Sequence, residues 1–270
     1  MPVVDKNFFD IRYLDTLAQG NSWLHRLDPR AKLITTLIFI ITVVSFDKYT
    51  ISALLPFVLY PVVLIGSANL PLSYLLNKLL IVAPFAVLIG LFNPLIDTSV
   101  HLHIGSFGIT GGWISLVSLV LRFVLTVGSV LVFIALTSFN GLCVALEKLR
   151  VPTIFIVQLL FLYRYIFVLL EETMRMSRAQ ALRTFNGSGL GLKTYGMLVG
   201  HLLLRTLNRA ERIHCAMRCR GFDGHMHLGR PAGIGKNEVF FVLFWSSLFL
   251  AMRLYNVPLL LETAITEIMT

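Results

Sequence analysis

Apolar runs alternate with polar segments along most of this chain. Five runs stand out, covering about residues 33–46, 51–67, 72–91, 113–138 and 239–254. A helix needs about 20 mostly apolar residues to cross a bilayer, with some tolerance for tilt. The pattern therefore predicts an all-α membrane protein with about five transmembrane helices.

A further apolar run, residues 153–170, is weaker than these five. It contains Gln158 and Arg164 and continues without a break into the charged sequence EETMRMSR. We therefore interpret it as an amphipathic helix at the membrane surface. A sixth span is the alternative.

The composition also favours a membrane protein. Hydrophobic residues make up 56% of the 270 residues and charged residues only 14%, and the mean hydropathy is +0.79. Soluble domains carry about a quarter charged residues. The net charge of +9 is accordingly not interpreted as a sign of nucleic-acid binding.

The positive charges are clustered, and the clusters predict the orientation of the chain. Of the 23 Lys and Arg residues, 14 lie within residues 139–238 and five within residues 1–32. Cytoplasmic loops are enriched in these residues, so we expect the N-terminus and residues 139–238 in the cytoplasm and the C-terminus outside. Six spans would put residues 171–238, with eleven Lys and Arg, on the outer side of the plasma (inner) membrane.

The predicted organisation has three parts. Residues 1–138 hold a polar lead-in and four spans, residues 139–238 form a cytoplasmic segment, and residues 239–270 hold the last span and a tail. Residues 93–112 contain no Lys or Arg and are rich in turn formers, which is typical of an external loop.

Two local signals refine the membrane part. Asp28 followed by Pro29 is typical of a helix start, and Arg30 and Lys32 follow where a cytoplasmic anchor belongs. Arg122 lies near the middle of the fourth run. A central arginine costs roughly 2.5–3.5 kcal/mol on insertion scales. We therefore expect Arg122 to face the bundle interior or a partner rather than lipid.

Residues 164–221 contain two helix-forming arms, of which the second has the clearer pattern. Its arginines recur at steps of 4, 3 and 8, near one helical face: Arg205, Arg209, Arg212 and Arg220. An apolar stripe can form elsewhere on the same helix from Leu203, Leu207, Ala210 and Ile213. Gly221 is predicted to end the helix in a left-handed cap, which leaves Arg220 in the last turn.

The first arm is similar to the second. Four of its charged residues can pair at helical spacing: Glu171, Glu172, Arg175 and Arg178. Arg183 then stands three residues before Asn186-Gly187. Both arms thus end in an arginine, suited to enter a groove on another protein and bind carboxylates there. The alternative is that these arginines cap helices and contact anionic lipid head groups.

Three motifs carry a resemblance to a known family. They are L-D-P-R-A-K (Leu27 to Lys32), R-A-Q-x-x-R (Arg178 to Arg183, including Ala179 and Gln180) and A-M-R-C-R-G-F-D-G (Ala216 to Gly224, including Arg218). With these motifs, and in the order of its spans, the chain resembles the T component of energy-coupling factor (ECF) transporters over nearly its whole length. It is most similar to the cobalt/nickel type (CbiQ/NikQ-like).

This resemblance implies a role and a set of partners. A T component is a membrane scaffold that couples two cytosolic ABC ATPases to a separate substrate-binding membrane subunit, which a small accessory membrane subunit can join. The cobalt/nickel type implies cobalt or nickel as cargo, and a vitamin such as biotin is the alternative. The ATPase subunits bind ATP, so the resemblance implies no cofactor in this chain.

The resemblance also implies the site residues. Each of the family's two coupling helices carries an Ala-Arg-Gly-like triplet whose arginine docks in a groove of one ATPase. The second triplet corresponds to Cys219-Arg220-Gly221 in this chain. The first corresponds to Leu182-Arg183-Thr184, which departs from the pattern at both flanking positions.

Other constellations are weaker. Metal binding is not expected at either of two histidine pairs, because further ligands are not assured: His101 with His103, and His225 with His227. Cys215 and Cys219 stand one helical turn apart beside His214, which is weak evidence for a site.

The sequence also gives no sign of catalysis. It lacks a Walker A loop and contains no nucleophile with a general base at a recognisable spacing, so we predict that the chain is not an enzyme. Two rival functions remain. An intramembrane lipid-modifying enzyme would need polar catalytic residues inside the spans, and a secondary carrier would need internal repeats.

Overall fold

The structure, a computed structural model, describes residues 13–96, 100–104, 107–183, 192–224 and 235–254. Contacts within the chain divide it into two compact units. One comprises residues 13–145 and 231–270, and we call it the bundle unit. The other comprises residues 1–12 and 146–230, and we call it the arm unit.

The bundle unit contains most of the helices. They are α1 (Trp23–Arg26), α2 (Pro29–Val44), a 3-10 segment (Ser52–Val58), α3 (Leu59–Ala68), α4 (Leu72–Gly90), α5 (Asn93–Ile96), α6 (Gly111–Leu136), α7 (Phe139–Lys148) and α10 (Lys236–Leu254). The boundary between the two units, after Ala145, falls within α7.

A short β-hairpin lies in the segment predicted as an external loop. Its strands β1 (Val100–Ile104) and β2 (Phe107–Thr110) are antiparallel, with Ile104 opposite Phe107 and Val100 opposite Thr110. The prediction of an all-α membrane protein is confirmed for the fold class, and this hairpin is the β element of the described residues.

Aromatic rings form the centre of the bundle unit. The Phe39 ring lies 4.7 Å from Tyr60 and 5.3 Å from Phe249 between centroids, and Tyr60 lies 4.9 Å from Trp245. The Tyr60 hydroxyl is 3.1 Å from Thr36 Oγ1, so the buried phenol is hydrogen-bonded. Such ring pairs contribute about 0.5–1.5 kcal/mol each beyond burial. They hold α2, α3 and α10 together as one packed group.

The start of α2 confirms the predicted cap and shows that Lys32 is buried. Asp28 Oδ1 accepts a 2.9 Å hydrogen bond from the Arg30 N–H, and Pro29 is the first residue of α2. Lys32, predicted at the position of a cytoplasmic anchor, is only 4% exposed, and its Nζ donates a 2.8 Å hydrogen bond to the Leu136 carbonyl. The last carbonyls of a helix lack intrahelical partners. Lys32 satisfies one of them and ties α2 to the end of α6.

Four described helices are long and apolar enough to cross a membrane: Leu72–Gly90, Gly111–Leu136, Thr153–Arg183 and Lys236–Leu254. Three of them correspond to predicted spans. The other two predicted runs fold as α2, of 16 residues, and as the 3-10 segment followed by α3, both shorter than the rest. The surface of the bundle unit exposes many large apolar side chains, as expected for a membrane protein.

The arm unit contains two long helices, α8 (Thr153–Arg183) and α9 (Leu192–Cys219), of 31 and 28 residues. At 1.5 Å per residue they are about 46 and 42 Å long. Residues 153–170, predicted as a surface helix, are the first half of α8, which meets the length and composition of a span. Their position at the membrane surface stays a prediction.

Candidate functional site

The predicted coupling residues lie at the ends of α8 and α9. Neither helix contains a proline, so no proline interrupts the backbone hydrogen bonds of either helix along its length. The described side chains of α9 are all exposed or half-buried. A long helix that its own chain covers so little presents a surface on which another protein or a membrane can pack.

The end of α9 confirms the predicted left-handed cap at Gly221. Gly221 has φ +81°, and its N–H donates to the Arg218 carbonyl at 3.0 Å, while the Phe222 N–H donates to the Met217 carbonyl at 3.1 Å. These two bonds define a Schellman motif. Arg220 is therefore the C-cap residue of α9, held in place by the backbone on both sides.

Two apolar residues flank this cap. Met217 and Phe222 line the same groove of the arm unit, and these are the two positions whose side chains frequently meet in a Schellman motif. The sequence M-R-C-R-G-F contains both positions around the glycine, so their placement was readable from the sequence but was not predicted.

The end of α8 differs from that of α9. Arg183 is its last residue and is exposed, as are Leu182, Arg178 and Ala179, whereas Gln180 is half-buried. Thr184, the third residue of the first predicted triplet, lies outside the described residues. Arg183 is thus presented from regular helix, whereas Arg220 is presented from a cap.

The predicted pairing along the first arm is right for one pair and wrong for another. Glu171 and Arg175 form an ion pair at 4.0 Å, four residues apart. Glu172 instead pairs across the unit with Arg205 of α9, and Arg205 Nη1 donates a hydrogen bond to Glu172 Oε1. No pattern within either helix distinguishes such a contact from an intrahelical pair.

The Glu172–Arg205 contact marks where the two helices approach each other. A groove of about 370 Å³ lies to one side of it, lined by α8 residues that precede Glu172 and α9 residues that follow Arg205. The helices therefore run in broadly opposite directions. Of the predicted apolar stripe, Leu207, Ala210 and Ile213 line this groove, and Leu203 does not.

This crossing places the two terminal arginines at opposite ends of the arm unit. Eleven residues separate Glu172 from Arg183, and fifteen separate Arg205 from Arg220 in the other direction. At 1.5 Å per residue, the two arginines are up to about 39 Å apart. The arms can therefore contact two separate sites at once.

Most of the basic side chains of the arms form no ion pair with an acidic side chain of the described residues. Within the described part of the chain, neither hydrogen bonds nor ion pairs hold the side chains of Arg183, Arg218 and Arg220. Arg212 Nε donates only to the carbonyl of its own helix, at Asn208 (3.2 Å). Exposed guanidinium groups without partners are available to bind carboxylates of another protein.

Arg122 was predicted to face the bundle interior or a partner. It is half-buried, and its Nη2 donates to the backbone carbonyl of Asp47, in the turn that follows α2. This contact binds one of its donors within the bundle unit, whereas Arg122 Nε is buried and has no hydrogen-bond partner among the described residues.

The described residues contain no group of three His, Cys, Asp or Glu side chains placed to hold a metal ion. His101 and His103 lie in β1, where only the backbone is described, and His225 and His227 lie outside the described residues. Cys215 and Cys219 are exposed thiols on α9.

Comparisons with known proteins bear on the resemblance. The family model described as cobalt transport protein, CbiQ, matches residues 20–228. The chain is 29% identical over 232 residues to an uncharacterised protein of Methanocaldococcus jannaschii, an alignment that covers 82% of this chain and 78% of that protein.

Two further relatives carry a more informative name. The energy-coupling factor transporter transmembrane protein EcfT of Ruminiclostridium cellulolyticum is 29% identical over 221 residues, covering 76% of this chain and 81% of the relative. The protein of the same name from Bacillus subtilis is 28% identical over 221 residues, covering 76% and 82%. These matches confirm the resemblance, and they are to transport proteins, in agreement with the prediction of a non-enzyme.

Proposed function

The chain belongs to the CbiQ cobalt transport protein family, and we propose that it is the energy-coupling transmembrane component of an ECF-type importer. In this role it joins two ABC ATPase subunits to a substrate-binding membrane subunit. The observation that carries the proposal is the pair of exposed arginines, Arg183 and Arg220, at opposite ends of two crossed helices.

Each end of the arm unit docks in a groove of one ATPase. A guanidinium group offers a rigid fork of donors that matches a carboxylate, and a separation of up to about 39 Å lets each end reach its own subunit. The Schellman cap supports the second contact, because it fixes the backbone on both sides of Arg220. The first contact uses Arg183 with the atypical neighbours Leu182 and Thr184.

The arms transmit motion because they are continuous helices. ATP binding closes the ATPase dimer and changes the distance between the two docked ends. Intact backbone hydrogen bonds keep each helix from absorbing that displacement along its length. The change reaches the membrane subunits as a change in the angle between α8 and α9.

The proposed cargo is cobalt or nickel, in line with the description of the family, and a vitamin such as biotin is the alternative. The cargo is held by the separate membrane subunit and not by this chain. The proposed location is the plasma (inner) membrane, with the N-terminus and the arms in the cytoplasm and the C-terminus outside. The clustering of Lys and Arg supports this orientation.

The test compares Arg220→Glu and Arg183→Glu with Arg212→Glu, which reverses an exposed charge on α9 away from its end. Co-expressed ATPase subunits are captured on the solubilised protein, and uptake of radioactive cobalt and nickel is measured in cells that contain all subunits. We expect Arg220→Glu to lose both ATPase capture and uptake, Arg183→Glu to weaken both, and Arg212→Glu to retain them.

Membrane insertion of each variant is verified by immunoblot of the membrane fraction. Unchanged uptake in the variant that carries both Arg183→Glu and Arg220→Glu would show that the docking proposal is wrong. Uptake of biotin without uptake of cobalt or nickel would agree with the coupling role and would show that the cargo is biotin rather than a metal ion.

A further inference from the structure

The groove between α8 and α9 is apolar, and the described chain leaves it uncovered. Its α8 wall extends from Gln158 to Leu169 and its α9 wall from Thr206 to Met217. Most of the lining side chains are apolar, and those contributed by α9 are all exposed or half-buried. Leu207 is 53% exposed. An apolar groove between two helices is a surface in which a further amphipathic helix can bind.

The groove is about as long as a helix of three turns. Eleven residues separate Gln158 from Leu169 on α8, and eleven separate Thr206 from Met217 on α9. At 1.5 Å per residue, each wall is about 16 Å long. A helix that covers the whole groove therefore needs about eleven or twelve residues.

Residues 1–12, which lie outside the described part of the chain, have this length and the sequence pattern of an amphipathic helix. Val4, Phe8 and Ile11 recur at steps of 4 and 3, which places them on one helical face. Helices that bind in grooves use apolar anchors at this spacing. Twelve helical residues are about 18 Å long. The residues that follow, 13–17, are helical in the structure.

Two further observations connect this segment with the arms. Contacts within the chain group residues 1–12 with residues 146–230, whereas residues 13–145 belong to the bundle unit. The orientation proposed above also places both the segment and the arms in the cytoplasm. A segment of the same chain binds without the loss of translational freedom that a separate molecule pays.

The charges at the groove are compatible with this occupant. Arg209 and His214 line the groove, and among the described residues its lining includes no carboxylate. Neither of these side chains has a hydrogen bond or an ion pair within the described part of the chain. Asp5 follows Val4 and borders the apolar stripe of the segment. Its carboxylate can therefore accept a hydrogen bond from Arg209.

We propose that residues 1–12 bind as an amphipathic helix in the groove between α8 and α9, with Val4, Phe8 and Ile11 against its apolar lining. This binding rests on the proposed function only for the orientation of the chain, and it does not require ATPase docking. The segment removes apolar side chains of the arms from water. It also occupies a surface on which another protein or a lipid would otherwise pack.

The first test is cross-linking of the whole chain in lipid nanodiscs, without ATPase subunits. Phe8→Cys is combined with Ile213→Cys, a groove position, after replacement of the native cysteines. In the matched control, Phe8→Cys is combined with the native Cys215 as the only other cysteine. Cys215 lies two residues from Ile213, about 200° around the helix, and does not line the groove. We expect oxidation by copper phenanthroline to join positions 8 and 213, but not positions 8 and 215, in tryptic peptides counted by mass spectrometry.

The second test measures how well the segment protects the groove. The rate at which a maleimide labels Ile213→Cys is compared in chains that also carry Phe8→Asp or Phe9→Asp. Phe8→Asp is expected to raise this rate about tenfold, because it removes a phenylalanine that packs in the groove. Phe9 lies off the apolar stripe of the predicted helix, so Phe9→Asp is expected to change the rate by less than about twofold.

The outcomes separate this occupant from others. Absence of the cross-link, equal cross-linking of the control pair, or equal labelling rates in the two aspartate variants overturns the proposal. Cross-links between isotope-labelled and unlabelled chains would assign the segment to a second copy. Protection of position 213 only in the presence of co-expressed membrane subunits would assign the groove to a partner, and either result overturns the proposal. Because no ATPase is present, failure of these tests is distinguishable from failure of ATPase docking.

Discussion

Gly221 offers the sharpest test of how the second arm presents its arginine. Its φ of +81° lies in the left-handed region, and a Cβ built on it meets no described atom within 4 Å. A side chain at this position therefore costs backbone energy alone, without a steric clash. The predicted effect of Gly221→Val follows from conformation and nothing else.

The size of that effect can be worked out from the backbone. A residue with a Cβ in the left-handed region costs roughly 1–2 kcal/mol, and Asn pays less than other residues there. If docking needs Arg220 at the cap, the cost appears as a weaker ATPase affinity. We expect Gly221→Val to weaken binding by about 5- to 30-fold and Gly221→Asn by clearly less.

In the assay, the purified ATPase is titrated onto the protein in lipid nanodiscs, and its binding is measured by surface plasmon resonance. Gly200→Val is the matched control, because Gly200 lies inside α9, has open space around its Cβ position and has no positive φ. This control is expected to bind as tightly as the wild type. Equal losses for Gly221→Val and Gly221→Asn, or wild-type affinity for Gly221→Val, would refute the reasoning from the cap.

Two further predictions concern the crossing of the arms and the orientation of the chain. Glu172 and Arg205 are 27% and 65% exposed, so their pair is worth about 0.2–1 kcal/mol. We expect Glu172→Arg or Arg205→Glu alone to lower uptake and the double swap to restore it. Additive losses in that double variant would show that the pair does not set the crossing. A membrane-impermeant maleimide is expected to label Cys215 and Cys219 in inside-out vesicles only. Cys143 is expected to stay unlabelled, because it is buried and its burial raises the pKa of the thiol to about 11. Labelling of intact cells would contradict the orientation.

Features that depend on neighbours in the sequence were predictable. The cap at Asp28 and the left-handed residue at Gly221 both satisfy backbone groups within five residues of themselves. Local rules of helix ends therefore suffice for them. The same rules would have predicted that Met217 and Phe222 line the same groove.

Features that depend on distant partners were not predictable. Lys32 was predicted as a cytoplasmic anchor before an apolar run, and nothing near it in the sequence indicated that the Leu136 carbonyl, 104 residues away, accepts its hydrogen bond. Glu172 has Arg175 three residues later, yet it pairs with Arg205, 33 residues away. In each case the pattern showed a charge that needs a partner, and only the tertiary structure supplied the partner.

The contrast between the two units bears on where motion occurs. In the bundle unit, buried rings join α2, α3 and α10, and a change in their relative positions would break several aromatic contacts at once. In the arm unit, α8 and α9 approach each other at few positions, around one exposed ion pair and a partly open groove. A change in their crossing angle therefore costs little within the chain. Under the proposed coupling role, ATPase subunits bound at Arg183 and Arg220 would therefore set the angle between α8 and α9.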